Sequence, residues 1–412
     1  MPLTNVKIVP GMNKADTPSG AEGQWVDGDF IRFRYGQPEK IGGYTAIGAE
    51  TISGPTRAQH TWTDLEGKRY AALGTSKALY IYYEDKFYDI TPLGTAITGA
   101  TFSSSNGSNI VTVNKNSHGL DVGEYITFTS VSLPGGGATG FTVADFQNFT
   151  YEILTVPNVN TFTVKMQANE TGSGMSAGGG TTINPYEEIG PTIQTYGYGW
   201  GTSTWSRLTW GSGSTTSSVI LDPGSWSLDN FGAQLIATVK DGKTFVWNPA
   251  VSNPLEVRAT IMVNAPTSTR LTITSDRDRH VVHFGTETTI GDSTTQDPMF
   301  IRFSDQENYS IYQPTSTNTA GTFRLDTGNK IISAVSGKDY NLILTDQAAY
   351  QMQFVGPPFT FSIRQVGSNC GCIGQHAVVY ADGKVFWMGA SGGFFVFDGT
   401  VKLLPSLVED FV

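Results

Sequence analysis

Apolar and polar positions alternate in short runs along this chain, and several of these runs flank one repeated turn pattern, Gly-Lys-x-aromatic. The copies of the pattern begin at Gly67, Gly242, Gly337 and Gly383. The runs beside them, such as 234–239 and 341–344, are rich in apolar and β-branched residues. Because glycine in a turn accepts positive φ and such runs favour strands, each copy predicts a β-hairpin.

The spacing of the copies predicts a β-propeller. Gly337 to Gly383 spans 46 residues, and Gly242 to Gly337 spans 95, which is close to two such steps. A repeat of this length is typical of a four-stranded propeller blade, and residues 275–284 form a degenerate copy between the two. The 175 residues from Gly67 to Gly242 fit about two blades only if a small domain is inserted. We therefore expect about six blades.

Residues 96–182 differ from the rest of the chain and form the predicted insertion. Ser, Thr, Asn and Gly dominate this segment, and basic residues are almost absent. Short strand signals lie within it at 110–113, 125–129, 151–156 and 161–164. Turn residues separate these signals, as at 134–137 and 157–160, and four such strands can bury their own core. The sequence therefore predicts a small β-sandwich or barrel, with 171–182 as its exit linker.

The insertion divides the chain into three expected parts. Residues 1–95 hold N-terminal strands and the first blade, 96–182 the inserted β-domain, and 183–412 the remaining blades. Composition agrees with an all-β fold, because few windows have a helical period whereas glycine, at 48 residues, marks turns along the whole chain.

The sequence carries no signal for a membrane or an oxidising compartment. No run of 18 apolar residues is present, and the first six residues lack the basic and apolar regions of a secretory signal. The two cysteines, Cys370 and Cys372, are separated by one glycine. We expect free thiols in a reducing cytosol rather than a strained local disulfide or half of a zinc site.

The net charge of −10, from 36 acidic and 26 basic residues, argues against tight DNA binding. Binding through phosphate neutralisation needs a basic face. The densest basic stretch is Arg32, Phe33 and Arg34 with Lys40, which alternates like an ordinary strand with one polar face. Loose passage of a duplex past an acidic wall remains compatible with this charge.

The sequence contains no motif that predicts a catalytic or metal-binding site. His280 and His283 have a spacing that ligates metals on a helix, but residues 279–284 predict a strand, in which the two side chains face opposite sides. Four carboxylates remain as candidates: Asp276, Asp278, Asp292 and Asp297. Propeller glycosidases use paired carboxylates, but turn capping is the favoured interpretation here. No nucleotide-binding or nucleophile motif is present, and no cofactor is expected.

The tryptophans are expected to be packing residues. Six of the eight fall in or beside the predicted blades: Trp200, Trp205, Trp210, Trp226, Trp247 and Trp387. Packing in the core or between blades explains them better than stacking on carbohydrate.

Five segments carry a likeness to a known family: 23–33, 36–44, 57–82, 356–359 and 370–399. They resemble the opening strands, the first blade and a late blade of tail proteins of short-tailed bacteriophages. This family includes the packaged-DNA stabilisation proteins, also described as tail hub or nozzle proteins. The resemblance covers residues 20–95 and 185–405 and rests on structural rather than catalytic motifs. The inserted segment around 117–124 resembles small β-modules found in many virion proteins.

The resemblance implies a non-enzymatic structural protein of the virion tail, made in the host cytoplasm. Family members form a ring, usually sixfold, that continues the DNA channel below the portal and its adaptor. The ring helps to retain packaged DNA and lets it pass at ejection. The implied partners are other copies of the chain, expected as a hexamer, the portal-side tail adaptor, tail fibre, spike or needle proteins, and duplex DNA passing without sequence-specific binding. No stable membrane insertion is expected.

Two other functions and one structural choice stay open. A glycan hydrolase or lyase would need paired acids in a central funnel, and a receptor-binding module would need exposed aromatics on one face, for which the insertion is the natural candidate. The N-terminal strands near 30–44 are expected to close the ring beside the last blade, since closure removes an open sheet edge. In the other interpretation the chain is shorter than its relatives.

Overall fold

The computed structural model describes residues 8–47, 51–133, 140–171, 181–193, 222–250, 255 and 257–407. The chain divides into two compact units. The barrel unit consists of Thr51–Lys240 and Thr244–Met262, and the three-blade unit consists of Met1–Glu50, Asp241–Lys243 and Val263–Val412. In the described part, strands predominate, and no helix is long and apolar enough to cross a membrane. The predicted all-β class is confirmed.

Four short strands begin the three-blade unit: β1 (Val9–Met12), β2 (Gln24–Trp25), β3 (Ile31–Arg34) and β4 (Gln37–Lys40). β1 pairs in parallel with β2, and β3 pairs antiparallel with β4. The hairpin β3–β4 joins no described blade, so the expected closure of the ring by residues 30–44 is wrong. The apolar side of β3 is turned to its own neighbours instead, with the Phe33 ring 6.3 Å from that of Trp25. The N-terminal segment contacts the chain beyond the last strand through Lys14 and Ala15, whose N–H groups donate to the Leu407 carbonyl.

The first blade opens the barrel unit. Its four antiparallel strands follow chain order: β5 (Thr56–Thr63), β6 (Arg69–Thr75), β7 (Leu79–Tyr83) and β8 (Lys86–Asp89). Gly67 lies in the first hairpin loop with φ +83°, which is the conformation that the sequence pattern requires there. Alternate residues of β6 are buried, so one face of this sheet supplies a core.

The insertion is a closed six-stranded barrel. Its elements are β9 (Ile97–Ser104), β10 (Ile110–Asn114), β11 (Tyr125–Thr129), α1 (Val143–Gln147), β12 (Thr150–Asn158), β13 (Thr161–Lys165) and β14 (Thr181–Pro185). The strands close in the order β10, β13, β12, β11, β14, β9. Four strands match the sequence signals, whereas β9 and β14 had none. Thr181 and Thr182, expected in a linker, both pair with β9, and Thr182 also pairs with β11, so that they help to complete the barrel.

Aromatic side chains fill the barrel. Phe102, Phe128 and Phe162 point inward from three strands and are fully buried. The short helix α1 is capped by Thr142, whose side chain accepts from the N–H of Asp145. The cap directs Phe146 into the same core, with its ring 4.5 Å from that of Phe102. The barrel therefore has a core of its own.

The second blade completes the barrel unit with β15 (Trp226–Phe231), β16 (Gln234–Val239), β17 (Thr244–Trp247) and β18 (Thr260–Ile261). It packs against the first blade through Trp226, which is fully buried and donates its indole N–H to the Thr75 carbonyl at 3.0 Å. A Cβ placed on Gly74 would lie 2.6 Å from this indole. Only glycine at position 74 therefore lets the two sheets approach so closely.

The three-blade unit contains three further four-stranded antiparallel sheets. The third blade is β19 (Leu271–Ser275), β20 (His280–Phe284), β21 (Phe300–Phe303) and β22 (Gly321–Arg324). The fourth is β23 (Ile331–Ser336), β24 (Asn341–Thr345), β25 (Ala348–Gly356) and β26 (Thr360–Ser368). The fifth is β27 (Val378–Ala381), β28 (Lys384–Met388), β29 (Phe394–Phe397) and β30 (Val401–Leu404). Apolar clusters join the third blade to the fourth and the fourth to the fifth.

The repeated sequence pattern marks a hairpin in every blade, as predicted. The copies at Gly67, Gly337 and Gly383 and the degenerate copy at 275–284 lie between a blade's first and second strands, whereas the copy at Gly242 lies between the second and third strands of its blade. The predicted class, a β-propeller with an inserted small β-domain, is confirmed. The described residues contain five blades, whereas about six were expected. Between the barrel and Gly242 the described residues contain only strands of the second blade. Residues 194–221 of that interval lie outside the described part.

Candidate functional site

The strongest concentration of potentially reactive side chains lies in the third blade. Asp278 accepts a hydrogen bond from the Ser275 hydroxyl at 2.6 Å, and its other oxygen lies 2.9 Å from Nδ1 of His280. Nε2 of His280 lies 3.0 Å from the hydroxyl of Thr319. The order carboxylate, imidazole, hydroxyl is that of a nucleophile–base–acid triad.

This network does not have the properties of a catalytic site. The Thr319 hydroxyl donates to Asp305 at 2.7 Å, so its proton is not directed at the imidazole. His280 is fully buried and Asp278 nearly so, which keeps a substrate from reaching them. The Asn341 amide of the fourth blade donates to Ser275 at 2.9 Å. The arrangement is a satisfied buried network that joins two blades.

His283 lies on the opposite side of β20 from His280, as the strand prediction required. Its Nδ1 is 2.9 Å from the Thr272 hydroxyl, and its ring centroid is 5.0 Å from that of Tyr312. Complete burial lowers the pKa of His283 to about 3, so the imidazole is neutral at physiological pH. The two histidines do not converge. The described residues contain no group of three or more His, Cys, Asp or Glu placed to hold a metal ion.

Two of the other candidate carboxylates cap turns. Asp292 accepts from the N–H and hydroxyl of Thr294 at the start of the 3-10 helix Ser293–Thr295. Asp297 accepts from the Met299 N–H at 2.9 Å and pairs with Arg324 at 2.6 Å. The turn-capping prediction is confirmed for both. Asp276 is exposed in the loop between β19 and β20.

The cysteines and the described blade tryptophans have structural surroundings. Cys370 and Cys372 are free and buried, and burial raises the pKa of both thiols. Trp226, Trp247 and Trp387 are buried, and each donates its indole N–H to a backbone carbonyl. The free-thiol and packing predictions are confirmed for these residues. Trp200, Trp205 and Trp210 lie outside the described residues.

The basic stretch forms one face of the β3–β4 hairpin. Arg32 and Arg34 are exposed, whereas Ile31 and Phe33 are turned to the other side and partly buried. Arg32 lies 3.2 Å from Glu39. The stretch is therefore a strand with a polar face, as predicted.

A pocket of about 350 Å³ opens at one end of the first blade, where no sequence motif had indicated a site. Trp62, Tyr70 and Tyr83 lie in its wall. Their rings form a stacked column, with centroids 5.4 Å apart between Trp62 and Tyr70 and 5.0 Å apart between Tyr70 and Tyr83. Trp62 and Tyr70 are buried, whereas Tyr83 is partly exposed. Arg69 and Glu84, both exposed, also line the pocket.

The turn beside this pocket has an unusual backbone. Glu84 and Asp85 join β7 to β8 and have φ of +47° and +63°. Two consecutive positive φ values are typical of the hairpin turn that Asn-Gly forms most readily. The Tyr82 hydroxyl donates to Asp85 at 2.7 Å and helps to hold the turn. This conformation sets the position of the Glu84 carboxylate at the pocket.

Comparison with known proteins yields structural likeness alone. No family model and no curated protein matches the chain. Among solved structures, the chain is similar to a phage phi92 endosialidase, with 14% identity and a TM-score of 0.28 over 85% of this chain and 55% of that one. It is also similar to Citrobacter koseri AztD, with 10% identity and a TM-score of 0.31 over 82% and 68% of the two chains. A third is BBS1N in complex with ARL6DN, with 9% identity and a TM-score of 0.31 over 87% and 84%.

The chain thus spans about half the length, 55%, of the endosialidase. At these identities and scores the likeness carries no functional assignment.

Proposed function

We propose that this protein is a structural component of a short phage tail, a hub or nozzle whose copies form a ring below the portal and its adaptor. The ring helps to retain packaged DNA and lets the duplex pass at ejection. The resemblance of segments 23–33 and 57–82 to such tail proteins motivates the proposal, and a fold of propeller blades agrees with it. The observation that carries it is the use of the candidate reactive groups for structural hydrogen bonds.

Hydrogen bonds join neighbouring blades within each described unit, which suits a protein of a mechanically stressed assembly. Besides the indole of Trp226, the indole N–H of Trp62 crosses from the first blade to the Ala233 carbonyl of the second at 3.0 Å. In the three-blade unit the bond from Asn341 to Ser275 has the same role. Buried hydrogen bonds between neighbouring sheets resist sliding, because each bond that is lost leaves a buried polar group unpaired.

The barrel is also fixed to the blades of its own unit. Arg258, just before β18, lies 3.3 Å from the Asp89 carboxylate and donates to the Thr91 carbonyl at 2.9 Å and to the Tyr186 hydroxyl at 3.0 Å. Tyr186, just after β14, donates in turn to Asp89. Burial raises the pKa of Tyr186 well above its usual range, which keeps the phenol a donor. These hydrogen bonds connect the first and second blades to the segment that follows the last strand of the barrel.

The charge of the chain supports a passive conduit. A net charge of −10 opposes the counterion release that drives tight DNA binding, so a duplex can move past such a protein without sticking. The closest partners are then expected to be other copies of the chain and the portal-side adaptor. Binding of free linear duplex should be weak at physiological salt.

Electron microscopy of virions with a bound antibody tests the proposal. An antibody against this protein should label the tail below the portal, and class averages should show a ring of about six copies. Labelling elsewhere on the particle, or absence of the protein from purified virions, would refute the proposal. A glycan-active enzyme is the competing function, and turnover of a host polysaccharide that is lost in Asp276→Asn or Asp278→Asn would favour it.

A further inference from the structure

The pocket in the first blade has features that the packing of the blade does not require. Arg69 extends beside the column of rings, and among the described residues its guanidinium has no hydrogen-bond or ion-pair partner. Glu84 is placed there by the two-residue turn between β7 and β8, in which both residues have positive φ. A pocket of about 350 Å³ also falls in the size range of small-ligand sites.

The column of rings provides a surface for stacking. Trp62 and Tyr70 are buried, and the Trp247 ring packs edge-on against Tyr70, with the two centroids 5.8 Å apart. Tyr83 ends the column and stays partly exposed. A flat ligand with an apolar face can therefore stack on a ring that is already immobilised, which reduces the loss of side-chain entropy on binding.

The polar groups define the chemistry of that ligand. Arg69 supplies donors only, whereas the Glu84 carboxylate, which accepts from the Tyr83 hydroxyl, has further lone pairs that can accept from a ligand. The hydroxyls of Thr61 and Thr63 are exposed in the same wall and can do both. One cation and one anion at a single pocket give no net charge, so neither an anionic nor a cationic ligand is favoured. A neutral ring with an apolar face and several hydroxyl groups matches all of these features.

We propose that this pocket binds a neutral hexopyranose unit of a surface glycan, with Tyr83 as the stacking platform and Arg69 and Glu84 as the hydrogen-bonding groups. The site lies on a blade and not on the inserted barrel. It is independent of the tail function proposed above, since a sugar site and a ring assembly can each exist without the other.

The test measures binding of defined oligosaccharides to the full-length protein. The probes are neutral hexasaccharides of glucose, galactose, mannose, rhamnose and N-acetylglucosamine, with oligomers of sialic acid and of glucuronic acid as the acidic arm. Trp62 in the pocket wall provides a fluorescence signal, and saturation-transfer NMR provides a second readout. At least one neutral hexasaccharide should bind with a dissociation constant of about 1 mM, as expected for a contact limited to one or two sugar rings.

Variants assign the binding to this pocket. Arg69→Ala and Glu84→Gln should each weaken binding about tenfold, because each removes hydrogen bonds to a hydroxyl group. Arg364→Ala is the matched control, since Arg364 is also an exposed strand arginine but lies on β26. It should leave binding unchanged. All three variants should keep the wild-type melting temperature.

Three outcomes would overturn the proposal. The first is that no neutral hexasaccharide binds at a concentration of about 10 mM, which is about ten times the expected dissociation constant. Binding occurs but is unchanged in both Arg69→Ala and Glu84→Gln, which places it elsewhere. Acidic oligomers bind better than every neutral one and Glu84→Gln strengthens them, which makes the pocket a site for acidic sugars.

Discussion

The third blade and the first blade both concentrate polar and aromatic side chains, but they differ in what solvent can reach. In the third blade, Asp278 and His280 are buried, and their polar atoms have partners within the protein. In the first blade, Arg69 and Glu84 are exposed beside a half-exposed ring. Residue types that look catalytic in the sequence thus serve stability, whereas residues without any motif form the accessible pocket.

This comparison shows that residue chemistry alone does not locate a site. A histidine between a carboxylate and a hydroxyl is a base only if the hydroxyl proton points to it and a substrate can approach. His280 fails both conditions. The Thr319 hydroxyl donates its proton to Asp305, and burial prevents a substrate from reaching the imidazole. Substitutions should therefore have different effects in the two blades. In the third blade they should lower stability, and in the first blade they should weaken ligand binding.

Asp278→Ala should produce the largest effect, a loss of about 3 kcal/mol in the free energy of unfolding. The substitution leaves Ser275 and His280 without their buried partner, and breaking a buried polar pair from one side typically costs this much. Denaturant unfolding followed by tryptophan fluorescence measures it. Asp276→Ala is the matched control on the same loop, where the side chain is exposed, and should change the free energy by less than about 0.5 kcal/mol. Equal losses in both variants would contradict the contrast between buried and exposed acids.

The buried His283 should make the protein less stable in mild acid. Its folded-state pKa, about 3, lies below the unfolded value of 6.5. The contribution is therefore fully present above pH 6.5, and it is lost as the pH falls from there toward 3, because the unfolded chain binds the proton first. Between pH 6.5 and pH 5 the expected loss is about 2 kcal/mol.

Unfolding curves at a series of pH values measure this slope, and His283→Gln should flatten it. The variant need not match the wild-type stability, since the pH dependence is the quantity compared. A slope that is the same in both proteins would show that other groups titrate in its place.

The sequence predicted the repeated elements well because their signals are local. Gly67 and Gly383 stand where the backbone requires positive φ, and the apolar runs around them became strands of blades. The strand β14 was missed because Thr181 and Thr182 follow a Gly-Ser-rich stretch, and their pairing with β9 depends on residues about 80 positions away.

The site was less predictable, because it depends on register. Trp62 lies opposite Tyr70 in the β5–β6 pair, and Tyr83 joins them only through the pairing of β6 with β7. No local pattern specifies that the three rings stack. Similarly, Thr319 reaches His280 across 39 residues of chain, so the network in the third blade could not be derived from spacing.

Substitutions in the turn of Glu84 and Asp85 should change stability least, and they test stability and ligand binding in the same variant. The double substitution Glu84→Asn and Asp85→Gly gives the turn the residues that its positive φ values favour, and it also removes the exposed hydrogen bond from Tyr82 to Asp85. The gain should exceed this loss, so the free energy of unfolding should rise by about 0.5 kcal/mol. The same change removes the Glu84 carboxylate and should weaken binding of the neutral hexasaccharide. Asp382→Asn is a control in the fifth blade, where the turn already has Gly383 in second place, and it should leave binding unchanged. Unfolding curves and fluorescence titrations on the same samples measure both quantities. If the double variant is more stable and still binds the sugar as the wild type does, the Glu84 carboxylate takes no part in binding.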